Sequence, residues 1–283
     1  MSRCGQMNKP IVVVAVIAIV AIYVLVIDGS CEQDTSAASQ VGTSAESLTS
    51  DQNGSPQLPE TSSSSASVAP GSRNNGVSNR SFDGETLYNE VLPSVATLSV
   101  DKGDGTGMTG TGFLAYENGL IVTAWHVVEG AQSVNAKFAD GEVVTCSGLV
   151  AKDEEQDIAI IKVGNSSRRL LVTENTRPAI GSKAFIVGAP KGREFSFSDG
   201  TVSQNESTLI NRNGVPSRRE TIQYNCPSSP GNSGGPLFDA DGAVRGIVSF
   251  GLTEGQNLNF AIPISLAARL DRTGSVVPWS SVR

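Results

Sequence analysis

The sequence predicts an all-β domain from residue 82 onwards, with a membrane segment and an unstructured spacer ahead of it. Three observations carry this expectation. Aromatic residues make up 5% of the chain while glycine occurs 30 times, a composition suited to short strands and tight turns rather than long helices. Beyond residue 94, short apolar runs recur, broken by Gly, Asp-Gly and Asn, which is the texture of an antiparallel sandwich or of barrels. Residues 30–80 carry almost no large apolar side chain and cannot bury enough surface to offset their ordering entropy.

Ile11 to Ile27 is an unbroken apolar run with Arg3 and Lys9 before it and Asp28, Glu32 and Asp34 after it. As a helix it reaches roughly 25 Å, near the hydrocarbon thickness of a bilayer once Lys9 snorkels. The basic flank belongs to the cytoplasm, so 1–9 reads as a cytoplasmic tail, 10–28 as a single-pass signal-anchor and everything later as extracytoplasmic. A cleaved secretory signal and a lipoprotein acylated at Cys31 are the alternatives, the latter disfavoured by Asp28 where an aliphatic residue is usual. Residues 29–81, with the run Ser62 to Ser65, read as a disordered Ser/Thr-rich linker holding the domain off the membrane.

Within 82–283 a short amphipathic helix is expected over Glu85 to Val91, with Leu87 and Val91 on one face and Pro93 ending it. Strands are expected at Val95 to Val100, Gly112 to Tyr116, Leu120 to Thr123, Glu142 to Val150, Ile158 to Val163, Ala184 to Val187, Thr221 to Tyr224, Ala243 to Phe250 and Leu258 to Ile262. Asp140-Gly141 and Asp241-Gly242 read as hairpin turns, and a last helix is expected over Pro263 to Leu270. The stretch Gly105 to Gly110 satisfies G-x-G-x-x-G but leads into a strand rather than a helix, so it reads as a mobile glycine-rich hairpin loop and not a nucleotide site.

Composition also excludes functions. A net charge of −7 and a pI near 4.9 leave no surplus of cations for a nucleic-acid backbone. Four scattered cysteines contain no C-x-x-C pair, so neither a zinc site nor a dense disulfide framework is indicated, and no cofactor or metal is expected. Whether Cys146 and Cys226 pair is not decided by sequence.

The chemistry concentrates at Ser229-Pro230-Gly231-Asn232-Ser233-Gly234-Gly235-Pro236-Leu237. A serine hydroxyl is a weak nucleophile near neutral pH and needs a base within reach and donors aimed at the developing oxyanion. The flanking glycines let the backbone turn so that the Gly231 and Ser233 amides point into one site. The same residues fit the G-x-S-x-G elbow of α/β-hydrolases, but those enzymes place their histidine after the serine, and none follows Ser233. The chain has one histidine, His126, at the end of an apolar run, which makes it the one possible imidazole base. Of the carboxylates between them, Asp157 opens the apolar strand Ile158 to Ile161, where an ionised group is tolerated only with hydrogen-bonding partners. It is the candidate orienter.

Thr123-Ala124-Trp125-His126-Val127-Val128, Asp157-Ile158-Ala159-Ile160-Ile161-Lys162-Val163 and Pro230 to Leu237 resemble the three signature blocks of the HtrA/Deg (DegP-like) branch of trypsin-like serine proteases, and weaker similarity covers nearly all of 85–270. The resemblance implies a chymotrypsin-like pair of antiparallel six-stranded β-barrels, about 94–172 and 178–263, with His126 and Asp157 from the first and Ser233 from the second. It implies a serine endopeptidase acting on unfolded or flexible polypeptides, and related enzymes are often trimers. Two departures stand out: no C-terminal PDZ domain is expected here, and Tyr224 to Ser229 differs from the usual run before the serine. The resemblance places the residue six before the nucleophile, here Pro227, at the base of the substrate pocket; it is not a carboxylate, so cleavage after Lys or Arg is not expected. Ser249, Phe250 and Gly251 resemble the strand that pairs with substrate, by strand addition with a small or medium apolar residue at the cleaved position. A catalytically silent or latent binding module, and a small-molecule esterase, are the other readings.

Overall fold

The computed structural model describes residues 81–212, 215–252 and 256–282. The apolar run at 11–27, with its anchor, signal and lipoprotein readings, and the spacer before residue 81 lie outside the described residues. No described helix is long and apolar enough to cross a membrane.

Helix α1 (Gly84–Val91) starts where Asp83 caps it by accepting the Thr86 N–H (2.7 Å), and it buries Leu87 and Val91 as the spacing predicts. The strands follow as β1 (Val95–Asp101), β2 (Gly107–Leu114), β3 (Leu120–Thr123), β4 (Ser133–Phe138), β5 (Val143–Cys146), β6 (Gly148–Asp153) and β7 (Ile158–Lys162), with the four-residue helix α2 (Trp125–Val128) between β3 and β4. Then come β8 (Lys183–Gly188), β9 (Ser196–Arg212), β10 (Val215–Tyr224), β11 (Pro236–Phe238), β12 (Val244–Gly251), β13 (Asn259–Pro263) and helix α3 (Ile264–Ala268).

Strands β8 to β13 close into a six-stranded barrel, as expected. The first unit departs from the expected six-stranded barrel: its sheet has seven strands in the order β5-β4-β1-β2-β3-β7-β6 and stays open at β5 and β6. A register shift between Leu149 and Ala151 bends β6. Its outer edge then pairs with Val277 instead of β5, through reciprocal Leu149–Val277 backbone bonds of 2.8 and 2.7 Å. Trp279 fills the opening, packing in the first core and donating Nε1–H to the Cys146 carbonyl (2.8 Å).

Alternation of side chains explains why the two units dock. Along β7, Ala159 and Ile161 enter the interior of the first sheet, while Ile158 and Ile160 enter a second core shared with the barrel. Along β8, Ala184 and Ile186 fill the barrel, while Phe185 and Val187 meet Ile158 and Ile160 in the shared core. Both strands are therefore buried on two faces and read as continuous apolar runs. Phe238, Ile247 and Ile262 complete the shared core and Leu87 and Val91 of α1 roof it, which fixes one unit against the other.

Three strands escaped the sequence reading. β4 alternates half-buried and buried residues, with Val134, Ala136 and Phe138 inward, but its polar partners hid the pattern. β9 is mostly polar and is held as a strand by its neighbours β8 and β10. β11 is only three residues long. The glycine-rich stretch is also corrected: from Gly107 onward it is strand β2, paired with β1 from Asp101–Gly107 to Val95–Phe113. Asp140-Gly141 and Asp241-Gly242 do make the expected turns, closed by Gly141 N–H to Phe138 (2.9 Å) and Gly242 N–H to Asp239 (3.2 Å).

Candidate active site

His126 is the second residue of α2, a single turn formed where β3 ends at Thr123. Asp157 immediately precedes β7 and adopts φ 63°, a left-handed conformation that a short polar side chain tolerates and that surrounding contacts must hold. A turn closed by Gln156 N–H to Asp153 (2.9 Å) delivers the chain into it. Three bonds then fasten α2 to this residue: Trp125 N–H to the Asp157 carbonyl (3.1 Å), His126 N–H to Asp157 Oδ1 (2.9 Å), and His126 Nδ1 to Asp157 Oδ2 (2.8 Å). An ionised carboxylate only accepts, so Nδ1 carries the proton and Nε2 is left as an acceptor.

The Asp157 side chain is 1% exposed, against 27% for His126. Burial pushes its carboxyl pKa upward, but the facing His126, the Arg219 guanidinium and the Ser249 hydroxyl outweigh that and hold it well below the usual aspartate range. Arg219 Nη1 lies 3.4 Å from Oδ2, and Ser249 donates its hydroxyl to the same oxygen.

Ser233 sits in a tight turn in which Asn232 N–H bonds Ser229 O (3.0 Å) and Gly235 N–H bonds Asn232 O (2.9 Å). The loop is pinned across the seam between the units, where Ser233 O accepts from Thr111 N–H (2.9 Å) and Gly231 O accepts from the Thr111 hydroxyl (2.7 Å), and within the barrel by Gly234 N–H to Val248 O (2.7 Å). Two glycines are required by this path. A Cβ on Gly231 (φ 106°) would lie 2.1 Å from Ala189 O, and one on Gly234 (φ 85°) would lie 2.1 Å from Thr123 Oγ1. Among the described residues no internal acceptor takes the Gly231 or Ser233 N–H.

The structure thus joins His126 and Asp157 directly and links Ser233 to them through Ser249. The Ser233 hydroxyl donates to the Ser249 carbonyl (3.1 Å) and not to His126. Ser249, expected on the strand that pairs with substrate, is buried and turns its side chain inward to Asp157. Phe250 is half-buried and stacks on Phe260 with ring centroids 4.9 Å apart, and Gly251 is exposed at the end of β12. Pro227 is exposed, and its carbonyl accepts from Ser198 (2.7 Å). Cys146 and Cys226 are separate, buried free thiols.

Sequence reading missed Thr111, Arg219 and Asn259. Asn259 is buried and donates Nδ2–H to the Cys226 carbonyl (2.9 Å), bracing the segment before the serine. Arg219 shares a strand face with Thr221, both buried, and a charge at an inward strand position was the one available signal.

Comparison with known proteins shows what the chain is similar to. Residues 110–247 match the trypsin-like peptidase domain family. A probable periplasmic serine endoprotease, DegP-like, from Hahella chejuensis is 35% identical over 176 residues, 59% of this chain and 36% of that protein. The corresponding Halomonas elongata protein is 36% identical over 162 residues, 56% of this chain and 33% of its own. The chain spans about a third of the length of these curated relatives. The crystal structure of the M. tuberculosis protease Rv3671c in its active form superposes with a TM-score of 0.63 at 23% identity, over 75% of this chain and 96% of that one, a likeness of fold. The chain carries a trypsin-like peptidase domain and is a homologue of the DegP-like serine endoproteases.

Proposed function

We propose that this chain is a serine endopeptidase that hydrolyses peptide bonds of flexible extracytoplasmic polypeptides through an acyl-enzyme. The observation that carries the proposal is the double hold of Asp157 on His126, one carboxylate oxygen on the backbone N–H and the other on Nδ1. Held this way, the imidazole presents Nε2 as the base for Ser233. His126 takes the hydroxyl proton as Ser233 attacks the scissile carbonyl and returns it to the leaving amine; water then repeats the sequence in reverse to free the acyl group. Asp157 stabilises the imidazolium between those steps. The uncommitted amides of Gly231 and Ser233 receive the oxyanion.

Substrate adds to the exposed end of β12 near Gly251 as an extended strand. Pro227 in place of a carboxylate favours small or medium apolar residues at the cleaved position. The extracytoplasmic setting rests on the apolar run at 11–27 and on the periplasmic description of the relatives.

One observation favours a second reading, a latent protease. The Ser233 hydroxyl is engaged by the Ser249 carbonyl, so the hydroxyl must turn to His126 before attack. The test of both is labelling of the full chain with a fluorophosphonate probe beside Ser233→Ala and His126→Ala variants. Labelling of the parent alone supports the endopeptidase; a folded parent that stays unlabelled removes that reading and leaves the latent one.

A further inference from the structure

Asp157 serves two cations of different kinds. His126, from α2 beside the first sheet, gains and loses a proton during the proposed reaction, whereas the Arg219 guanidinium, from β10 of the barrel, stays charged at every working pH. Arg219 is 8% exposed, donates Nε–H to the Glu155 carbonyl (2.7 Å) and places Nη1 at 3.4 Å from Asp157 Oδ2, the same oxygen that receives His126 Nδ1 at 2.8 Å. Its backbone partner Glu155 lies two residues before Asp157, so one side chain grips both the turn and the carboxylate that the turn presents.

We propose that Arg219 is a positioning residue of the His126–Asp157 pair, holding the carboxylate anionic from across the seam and keeping the imidazole unprotonated further into the acid range than Asp157 alone would allow. The physical reason is competition: a protonated imidazole must share Oδ2 with a permanent positive charge, in a buried place where charges are poorly screened. The other charged groups on the neighbouring elements have partners of their own. Lys152 of β6 pairs with Glu154 (2.6 Å) and lies over the Trp125 ring, and Asp153 takes the Gln156 N–H (2.9 Å). On β10, Glu220 pairs with Arg177 (2.7 Å) and Arg218 reaches the Ser207 carbonyl (3.4 Å). Glu129 follows the last residue of α2.

The inference rests on the proposed role of His126 as base, but its test separates the two. The full chain contains one histidine, so its ring Hε1 gives one resonance that needs no assignment among others. The titration of that resonance is followed by NMR in Ser233→Ala, alone and combined with Arg219→Gln or Arg219→Lys, while the acid limb of fluorophosphonate labelling is followed with Ser233 intact. The glutamine variant is expected to move both midpoints to higher pH by about half a unit or more, and the lysine variant to stay near the parent. A folded glutamine variant with an unmoved midpoint overturns the proposal. So does a glutamine variant that fails to fold beside a folded lysine variant, since Arg219 would then act only as a brace. A parent that is never labelled removes the endopeptidase reading and leaves the NMR comparison to decide this one.

Discussion

The hydroxyl of Ser249 is bonded to the carboxylate of Asp157 across the seam between the open sheet and the barrel, ninety-two positions away in sequence. The carbonyl of the same Ser249 receives the Ser233 hydroxyl at 3.1 Å. One residue of β12 therefore touches both the orienter and the nucleophile proposed here.

Ser249→Ala removes a donor from Asp157 and leaves the backbone carbonyl in place. Losing one hydrogen bond to a charged acceptor is expected to cost about 1.5 kcal/mol, or roughly tenfold in kcat/KM, with KM little changed. Peptide hydrolysis by the parent and the variant, compared at one pH, checks this. Equal rates would remove Ser249 from the positioning of Asp157.

Asp157 titrates below the ordinary aspartate range in the folded chain, so the fold gains stability from it wherever the unfolded carboxylate is ionised. The unfolded value is near pH 4, and the folded one is lower. The stability gap between the parent and Asp157→Asn is thus expected to be full at pH 7, to begin closing as pH falls below about 4, and to vanish only once the folded carboxyl protonates. Urea melts from pH 7 down to pH 3 would reveal it; a gap that widens toward acid contradicts the assignment.

Burial pushes the Cys146 and Cys226 thiols up to about 12 in each case. Since the thiolate is the reactive form, neither is expected to react with iodoacetamide at pH 8 in the folded chain, and both should react in denaturant. Peptide mass spectrometry distinguishes them from Cys4 and Cys31. Rapid native labelling at either buried position would mean that its core opens.

Gly234→Ala forces a Cβ to 2.1 Å from Thr123 Oγ1 and 2.2 Å from Thr111 O, at a backbone angle that disfavours any side chain. The expected result is a destabilisation of about 2 kcal/mol or more together with loss of fluorophosphonate labelling. A labelled variant of parental stability would show that the serine turn can take another path.

Trp279→Ala empties the space between β5 and β6 and removes the bond to Cys146 O. Truncation of a buried tryptophan is expected to cost about 3 kcal/mol or more, read as a lower denaturant midpoint. A loss below about 1 kcal/mol would mean that the first sheet holds together without this plug.

Much of the site was legible because each of its parts is a local signal. With one histidine in the chain and none after Ser233, the order of residues alone selected His126 as the partner to seek. Asp157 stood out by opening an apolar strand, and it is found bonded to His126. The apolar runs at β3, β7, β8 and β12 announced themselves because those strands are buried along most of their length. β4 and β9 did not, since their polar positions face outward or pair with neighbouring strands, and strand formation there depends on those neighbours.

By itself, the sequence determined the strand-rich class, the turns, the residues proposed here as nucleophile, base and orienter, and the glycines that the serine turn demands. Tertiary structure alone decided that the first sheet stays open and is plugged by Trp279, that the Ser249 hydroxyl reaches Asp157, and that Arg219 reaches the same carboxylate. Each of these is a contact between residues far apart in the chain, made when the shared core of Ile158, Ile160, Phe185 and Val187 brings two separately wound sheets together. A pattern of neighbours along the chain records which face a side chain takes, but not which side chain it will meet there.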